Sequence, residues 1–430
     1  MRGAHFGQQV VFASYAVQLL DRGQLTVMAK CRTATPGICR WRACPEFPVL
    51  RQTRACGFDI WLEIEAHHDG DLAIIIVCHL AYAGFNGLRW TFDRAVVGSP
   101  KIGETDMQVL IFGGTRFMGR YAIQAMLAAG HEVTVANRGS RPPEPGVTTL
   151  VCDRSLPGAL DVLSERHVDV VIDFSAYSSQ WVAEAGARFA GRIGRYIFIS
   201  SCAVYSESQN FPLTEDGPVG PPHLHEAYAA EKIRSEQLLV EFSQRGAFQT
   251  VACRLPFVLG PENYEDRESF VLSRLHAKQP ILLTNGGNAL YSFVYAGDVA
   301  QALLALMGAD ARVDRQAFNI VLPQATTARG FVEACAAVAG QPADMRTVPL
   351  AELGYLMQDF DLRNLSFPFP HFHFYASADK LKRLTGFEAQ TSLPDMLQHY
   401  HRWWLAQAAL APRQYAREQA LLHRLAALSV

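Results

Sequence analysis

From residue 107 onward, short apolar runs alternate with stretches of helical period. Gln108-Val-Leu-Ile-Phe112 is a continuous apolar run of the kind a strand shows when both of its faces are covered. It is followed by Tyr121, Ile123, Met126 and Leu127, a helical stripe that stops at Gly130 as a C-cap. Glu132–Ala136 reads as the next strand. Val168–Asp173, Arg195–Ser200 and Gln249–Arg254 read as further buried strands, with helices between them such as Tyr228 to Gln244. This alternation, joined by right-handed crossovers, predicts an α/β fold built on a doubly wound parallel sheet. Ligands of such a sheet sit at the C-terminal ends of its strands.

Residues 1–106 carry no comparable pattern. Their longest apolar run, Leu72 to Phe85, is interrupted by His79. It falls short of the roughly 20 residues a spanning helix needs. Met1–Leu20 lacks a continuous apolar core and an Ala-x-Ala site, so it does not read as a signal peptide. Five of the nine cysteines lie here, at Cys31, Cys39, Cys44, Cys56 and Cys78, without the close ligand pair of a zinc site. The segment is expected to be a poorly ordered or non-functional extension, the working protein starting at Met107. The remaining cysteines, Cys152, Cys202, Cys253 and Cys335, fit a reduced, cytoplasmic compartment. The chain has 430 residues, 49% of them hydrophobic and 19% charged, which excludes a disordered or coiled-coil protein. With 39 Lys and Arg against 41 Asp and Glu, no overall positive field is available for nucleic acid or an anionic membrane, so neither is an expected partner.

Two local patterns carry chemistry. The first strand runs directly into Gly113-Gly114-Thr115-Arg116-Phe117-Met118-Gly119. Glycine there lets the backbone approach a pyrophosphate, and the helix N-terminus that follows offers free N–H groups and a positive dipole end. The second is Tyr228-Ala-Ala-Glu-Lys232, which puts a phenol and an ammonium on one helix face. A nearby ammonium is expected to favour the phenolate and lower the tyrosine pKa, suiting it to proton exchange with an alcohol or carbonyl.

These motifs, taken in order, resemble the extended short-chain dehydrogenase/reductases, the NAD-dependent epimerase/dehydratase family. The resemblance covers roughly Gln108 to Trp404. Ser201 stands at the family's catalytic Ser/Thr position. Thr214-Glu-Asp-Gly-Pro218 matches its Thr-Glu-Asp-x-Pro loop, and Tyr228 and Lys232 match its catalytic pair, with Glu236 fitting the glutamate that follows. Arg254–Pro261, Phe293–Ala300 and the stretch from Ser377 to Phe387 resemble three later motifs. The resemblance implies a Rossmann-type sheet in which Tyr228 is the general acid/base, Ser201 orients the reacting oxygen and Lys232 also holds the nicotinamide ribose. Hydride then passes between a substrate carbon and the cofactor, usually on a nucleotide-linked sugar.

Three departures refine that expectation. Arg116 replaces the central glycine of the turn; it either pairs with the phosphates or weakens their binding. The Gly-Gly-Thr-Arg-Phe-x-Gly variant resembles a divergent branch that includes chloroplast stem-loop RNA-binding proteins, so the fold need not imply turnover. After the second strand stand Asn137-Arg138-Gly139, with no acid, so Arg138 favours NADP, NAD being the alternative. Cys202-Ala203 replaces the Asp-Glu of sugar 4,6-dehydratases, which removes that reaction.

The expected cofactor site is therefore Gly113, Thr115, Arg116, Phe117, Met118, Gly119, Arg138, Asp153 (at the adenine), Ser175, Ala176, Tyr228 and Lys232, with no metal. The dinucleotide domain spans 107–254 and about 282–321. A substrate region takes about 255–281 and 322–404, including a possible pocket wall at His371 and His373. The closing helix, within 405–430, docks either on the core or on a second subunit, giving a homodimer. The function expected is an NAD(P)-dependent epimerase or reductase of a sugar-like, nucleotide-linked substrate, against a non-catalytic nucleotide-sensing or RNA-binding protein of the same fold.

Overall fold

In a computed structural model the chain divides into two units, Met1–Glu104 and Thr105–Val430. The described residues are 106–430 apart from 165, 207, 209, 221–225, 350–351, 353–371, 408–410, 414 and 429–430, together with short strands in the first unit. In that unit Ser14–Leu20 pairs antiparallel with Gln24–Lys30, and Phe58–Glu63 pairs with Val49–Leu50 and with His79–Tyr82. Most of the residues 1–106 assigned to an extension lie outside the described residues, as does His371.

The second unit is built on seven parallel strands: β1 (Gln108–Phe112), β2 (Glu132–Asn137), β3 (Thr148–Val151), β4 (Val170–Asp173), β5 (Arg195–Ser201), β6 (Gln249–Leu255) and β7 (Gln316–Asn319). Their order is β3-β2-β1-β4-β5-β6-β7, so the chain reverses its direction of travel between β1 and β4. That switch point leaves the crevice in which doubly wound sheets take their ligands. The helices are α1 (Met118–Ala128), α2 (Ser179–Phe189), α3 (Glu226–Gln244), α4 (Glu268–His276), α5 (Ala296–Met307), α6 (Ala328–Ala339), α7 (Asp379–Thr385), α8 (Leu393–Leu405) and α9 (Ala416–Leu428).

Alternation along the strands explains the unbroken apolar runs. Val109, Ile111, Val133, Val135, Ile197 and Val251 face one side and pack with α1 and α5. Leu110, Phe112, Val171, Tyr196 and Phe198 face the other and pack against residues of α2 and α3. Both faces are covered, so neither needs a polar position.

A second core joins α4, α6 and α8 through Phe270, Val271, Phe331, Val332, Met396 and Leu397. The strand Ile281–Thr284, which the sequence reading places with the dinucleotide sheet, pairs instead with Met345–Val348. Its apolar run is equally suited to either sheet, and only the contact with this second core decides. The closing helix docks on its own chain: Arg274 of α4 and Glu418 of α9 form an ion pair at 2.5 Å, each side chain 2% exposed. No helix among the described residues is long and apolar enough to cross a membrane.

Candidate active site

Backbone conformation builds the first wall. Gly113 and Gly114 adopt φ of 78° and 77°, and Phe117 turns the chain into α1 with φ 42°. A Cβ on Gly119 would lie 2.3 Å from the Gly114 Cα, so the turn and the helix touch through bare backbone. A Cβ on Gly113 would approach that of Ser175 to 3.1 Å, which puts the turn beside the end of β4. Helix α1 has no side-chain N-cap and no acid in its first turn. The Gly119 and Arg120 N–H groups already close on the Arg116 and Phe117 carbonyls, so it is the positive dipole end and the bare-backbone turn that fit a dinucleotide pyrophosphate.

The second wall comes from β5 and α3. Ser201 ends β5, accepts the Ala203 N–H at 3.1 Å and lies beside the Tyr228 phenol. Lys232, one turn along α3, is 3% exposed. Its ammonium donates to the Ile199 carbonyl at 2.8 Å and the Ala176 carbonyl at 3.1 Å, and lies 5.6 Å from the Tyr228 ring centroid. Desolvation pushes Tyr228 up to about 12, the neighbouring Ser201 hydroxyl opposing it. Burial pushes Lys232 down to about 8, with Asp173 and Glu236 opposing.

The expectation that Lys232 lowers the Tyr228 pKa is therefore corrected. The ammonium spends its hydrogen bonds on strand-end carbonyls, and desolvation is the largest influence on the phenol.

Beneath the site lies a charge network that the sequence reading did not identify. Asp173, fully buried at the end of β4, pairs with Arg154 at 2.7 Å. It also accepts the Tyr196 hydroxyl at 2.6 Å and the Ser175 N–H at 3.0 Å. Arg154 stacks 4.4 Å over Phe112 and donates to the Trp181 carbonyl at 2.5 Å. The acid thus fixes Ser175 and, through it, the Ala176 carbonyl that receives Lys232. A polar last residue on an otherwise apolar strand was the one available signal.

A parallel clamp holds α3 from the other end. Glu236 accepts Ser200 Oγ at 2.5 Å and Arg254 Nη2 at 2.8 Å, tying α3 to β5 and β6. Glu215, of the Thr-Glu-Asp loop, accepts the Asn319 N–H at 2.8 Å and so anchors that loop on β7.

The remaining site residues fall in two groups. Thr115 and Met118 lie in the turn, partly buried, and Phe117 is buried at 3% exposure. Arg116 is exposed, its guanidinium 5.6 Å over the Tyr264 ring. Arg138 and Asp153 stand beyond the ends of β2 and β3. The Ser155 hydroxyl and N–H, and to a smaller extent Arg138, hold the Asp153 carboxyl below its ordinary range. An acid thus does lie near Arg138, supplied by the neighbouring strand. His373 accepts the Leu290 N–H at 3.1 Å. Tyr177 and Tyr264, 58% and 49% exposed, stand beside Tyr228 at the mouth; sequence reasoning missed both. Among the described residues no cluster of His, Cys, Asp or Glu could hold a metal.

Residues 109–190 and 181–320 match the NAD dependent epimerase/dehydratase family. The chloroplast stem-loop binding protein of 41 kDa b of Arabidopsis thaliana is 28% identical over 319 residues, 68% of this chain and 78% of that protein. A UDP-glucose 4-epimerase of Corynebacterium glutamicum is 23% identical over 278 residues, 56% of this chain and 84% of that protein. The crystal structure of UDP-glucuronic acid 4-epimerase from Bacillus cereus in complex with NAD superposes with a TM-score of 0.58 at 16% identity, covering 71% of this chain and all of the other.

Proposed function

Because the chain belongs to the NAD-dependent epimerase/dehydratase family, we propose that residues 107–430 are an NAD(P)-dependent epimerase or reductase of a sugar-like, nucleotide-linked substrate. The observation that carries the reading is the placing of Ser201, Tyr228 and Lys232 together at the end of β5 beside the Gly113–Gly119 cradle.

The dinucleotide, when bound, supplies the hydride acceptor and donor. Gly113–Gly119 and the start of α1 would hold its pyrophosphate, and Ser175, Ala176 and Lys232 its nicotinamide end. Tyr228 keeps its proton at neutral pH and gives it from the phenol oxygen to a substrate oxyanion; the phenolate this leaves takes a proton back from an alcohol in the reverse direction. Ser201 holds the reacting oxygen against that phenol. Lys232, cationic over most of the neutral range, stabilises negative charge on it.

Cys202 is fully buried, its thiol pushed far up by desolvation and bonded to the Arg254 carbonyl at 3.3 Å. Beside Ala203 it provides neither acid nor base, which supports leaving 4,6-dehydration out. Arg138 supports NADP over NAD, in a cytoplasmic setting.

Titrating the full chain with NADP and NAD, followed by nicotinamide fluorescence and thermal shift, tests the reading. Binding is expected, tighter for NADP; binding of neither overturns it. The stem-loop binding relative favours one other reading, a non-catalytic RNA-binding protein. An RNA gel shift without dinucleotide binding is the result that would favour it.

A further inference from the structure

One loop links the two halves of the site. Residues 260–267 leave the short strand Phe257–Leu259 and lead into α4. The loop is held from below by Glu268, fully buried, whose carboxylate accepts the Gly260 N–H and Asn263 Nδ2, each at 2.8 Å. It is held from the side by α1. Arg120 pairs with Glu262, and the Tyr121 hydroxyl donates to the Pro261 carbonyl at 3.5 Å. Glu262 adopts φ 68°, an unfavourable backbone for a residue with a side chain, and this sharp turn brings its carboxylate to α1.

Anchored in this way, the loop presents Tyr264 to the glycine-rich turn. The Tyr264 ring stands edge-on to Phe117 at 6.3 Å and 83°, with Arg116 packed over it. Its hydroxyl lies near that of Tyr177, which follows β4. One side chain therefore reaches from the turn where a pyrophosphate would lie to the strand end where a nicotinamide would lie. Yet nearly half of it remains in solvent, more than a residue placed for core packing would show.

We propose that Tyr264 is a dinucleotide-retaining residue: residues 260–267 form a strap over the Gly113–Gly119 turn, and Tyr264 closes the groove between Phe117 and Tyr177. This rests on the dinucleotide reading above. Arg116 has a defined role here, since its cation lies against the Tyr264 face and helps hold the strap down. The strap also couples the substrate side to the cofactor side, because α4 carries both Glu268 and the second core.

The test uses the full chain with Tyr264→Ala and Tyr264→Phe. Hydrogen–deuterium exchange of residues 113–121 is expected to quicken in Tyr264→Ala and to change less in Tyr264→Phe, which keeps the ring and loses only the hydroxyl. Stopped-flow release of NADP is expected to be roughly three- to tenfold faster in Tyr264→Ala, the size of one lost aromatic contact. Wild type that binds dinucleotide while Tyr264→Ala releases it at an unchanged rate overturns the retaining role alone. Wild type that binds neither dinucleotide overturns the functional reading and the retaining role together. Unchanged exchange in 113–121 shows that the strap does not hold the turn and likewise overturns the proposal.

Discussion

Lys232 donates a hydrogen bond to the Ala176 carbonyl at 3.1 Å, joining the middle of α3 to the chain just beyond β4. This one bond connects the two walls of the site. The helix that carries Tyr228 is registered against the strand end that would face the cofactor, and Asp173 fixes that strand end from below.

Buried amine chemistry makes Lys232 a pH probe. Its folded pKa, about 8, lies below its ordinary 10.5, so between those values the unfolded chain binds the extra proton. Stability then rises with pH across this window, and the destabilising contribution is fully present below pH 8. Wild type should therefore gain up to about 3 kcal/mol on Lys232→Met between pH 7 and 10.5. Denaturant melts of both proteins at several pH values check this; a constant difference refutes it.

Tyr228→Phe removes the acid/base oxygen and keeps the ring. Turnover should fall by roughly 10²- to 10⁴-fold. Dinucleotide affinity should hold within about twofold, since the glycine turn, Arg138, Lys232 and Tyr264 are all left in place. Steady-state kinetics and fluorescence titration separate the two; retained turnover would remove Tyr228 from its role.

Gly119→Ala forces a Cβ to 2.3 Å from the Gly114 Cα, and backbone has no rotamer by which to escape. The variant should lose about 1–3 kcal/mol and most of its dinucleotide affinity. Thermal melts with and without NADP measure both, and an unaffected ligand-induced shift would place the pyrophosphate elsewhere.

Asp173→Asn leaves Arg154 buried, 6% exposed at the side chain, without its countercharge. A loss of about 3–5 kcal/mol is expected. The double change Asp173→Asn with Arg154→Met should recover part of it, because the stranded charge is gone. Urea melts of the three proteins decide; equal loss in the single and double variants would mean the ion pair is not the source.

How much was legible beforehand follows from what each signal depends on. The strands β1, β2, β5 and β6 could be read because a strand buried on both faces must be apolar throughout, a local property. Ser201, Tyr228, Lys232 and the glycine turn were visible because their chemistry is tied to a strand end, a helix spacing or a backbone conformation. The strand Ile281–Thr284 was placed in the wrong sheet, since an apolar run does not say which partner covers it. Asp173, Tyr177 and Tyr264 stayed hidden for a related reason. Each acts on residues such as Arg154 and Phe117 that lie far off along the chain, and no local pattern encodes a neighbour supplied by another loop.

The sequence by itself determined the α/β alternation, the glycine cradle and the phenol–ammonium pair, all of which arise within a few consecutive residues. The tertiary structure decided where the Lys232 ammonium spends its hydrogen bonds, and with them which way the Tyr228 and Lys232 pKa values move. It also docked α9 on its own chain and laid Tyr264 across the cofactor turn. These outcomes depend on solvent exclusion and on distances between segments remote in sequence, and both exist only once the chain has folded.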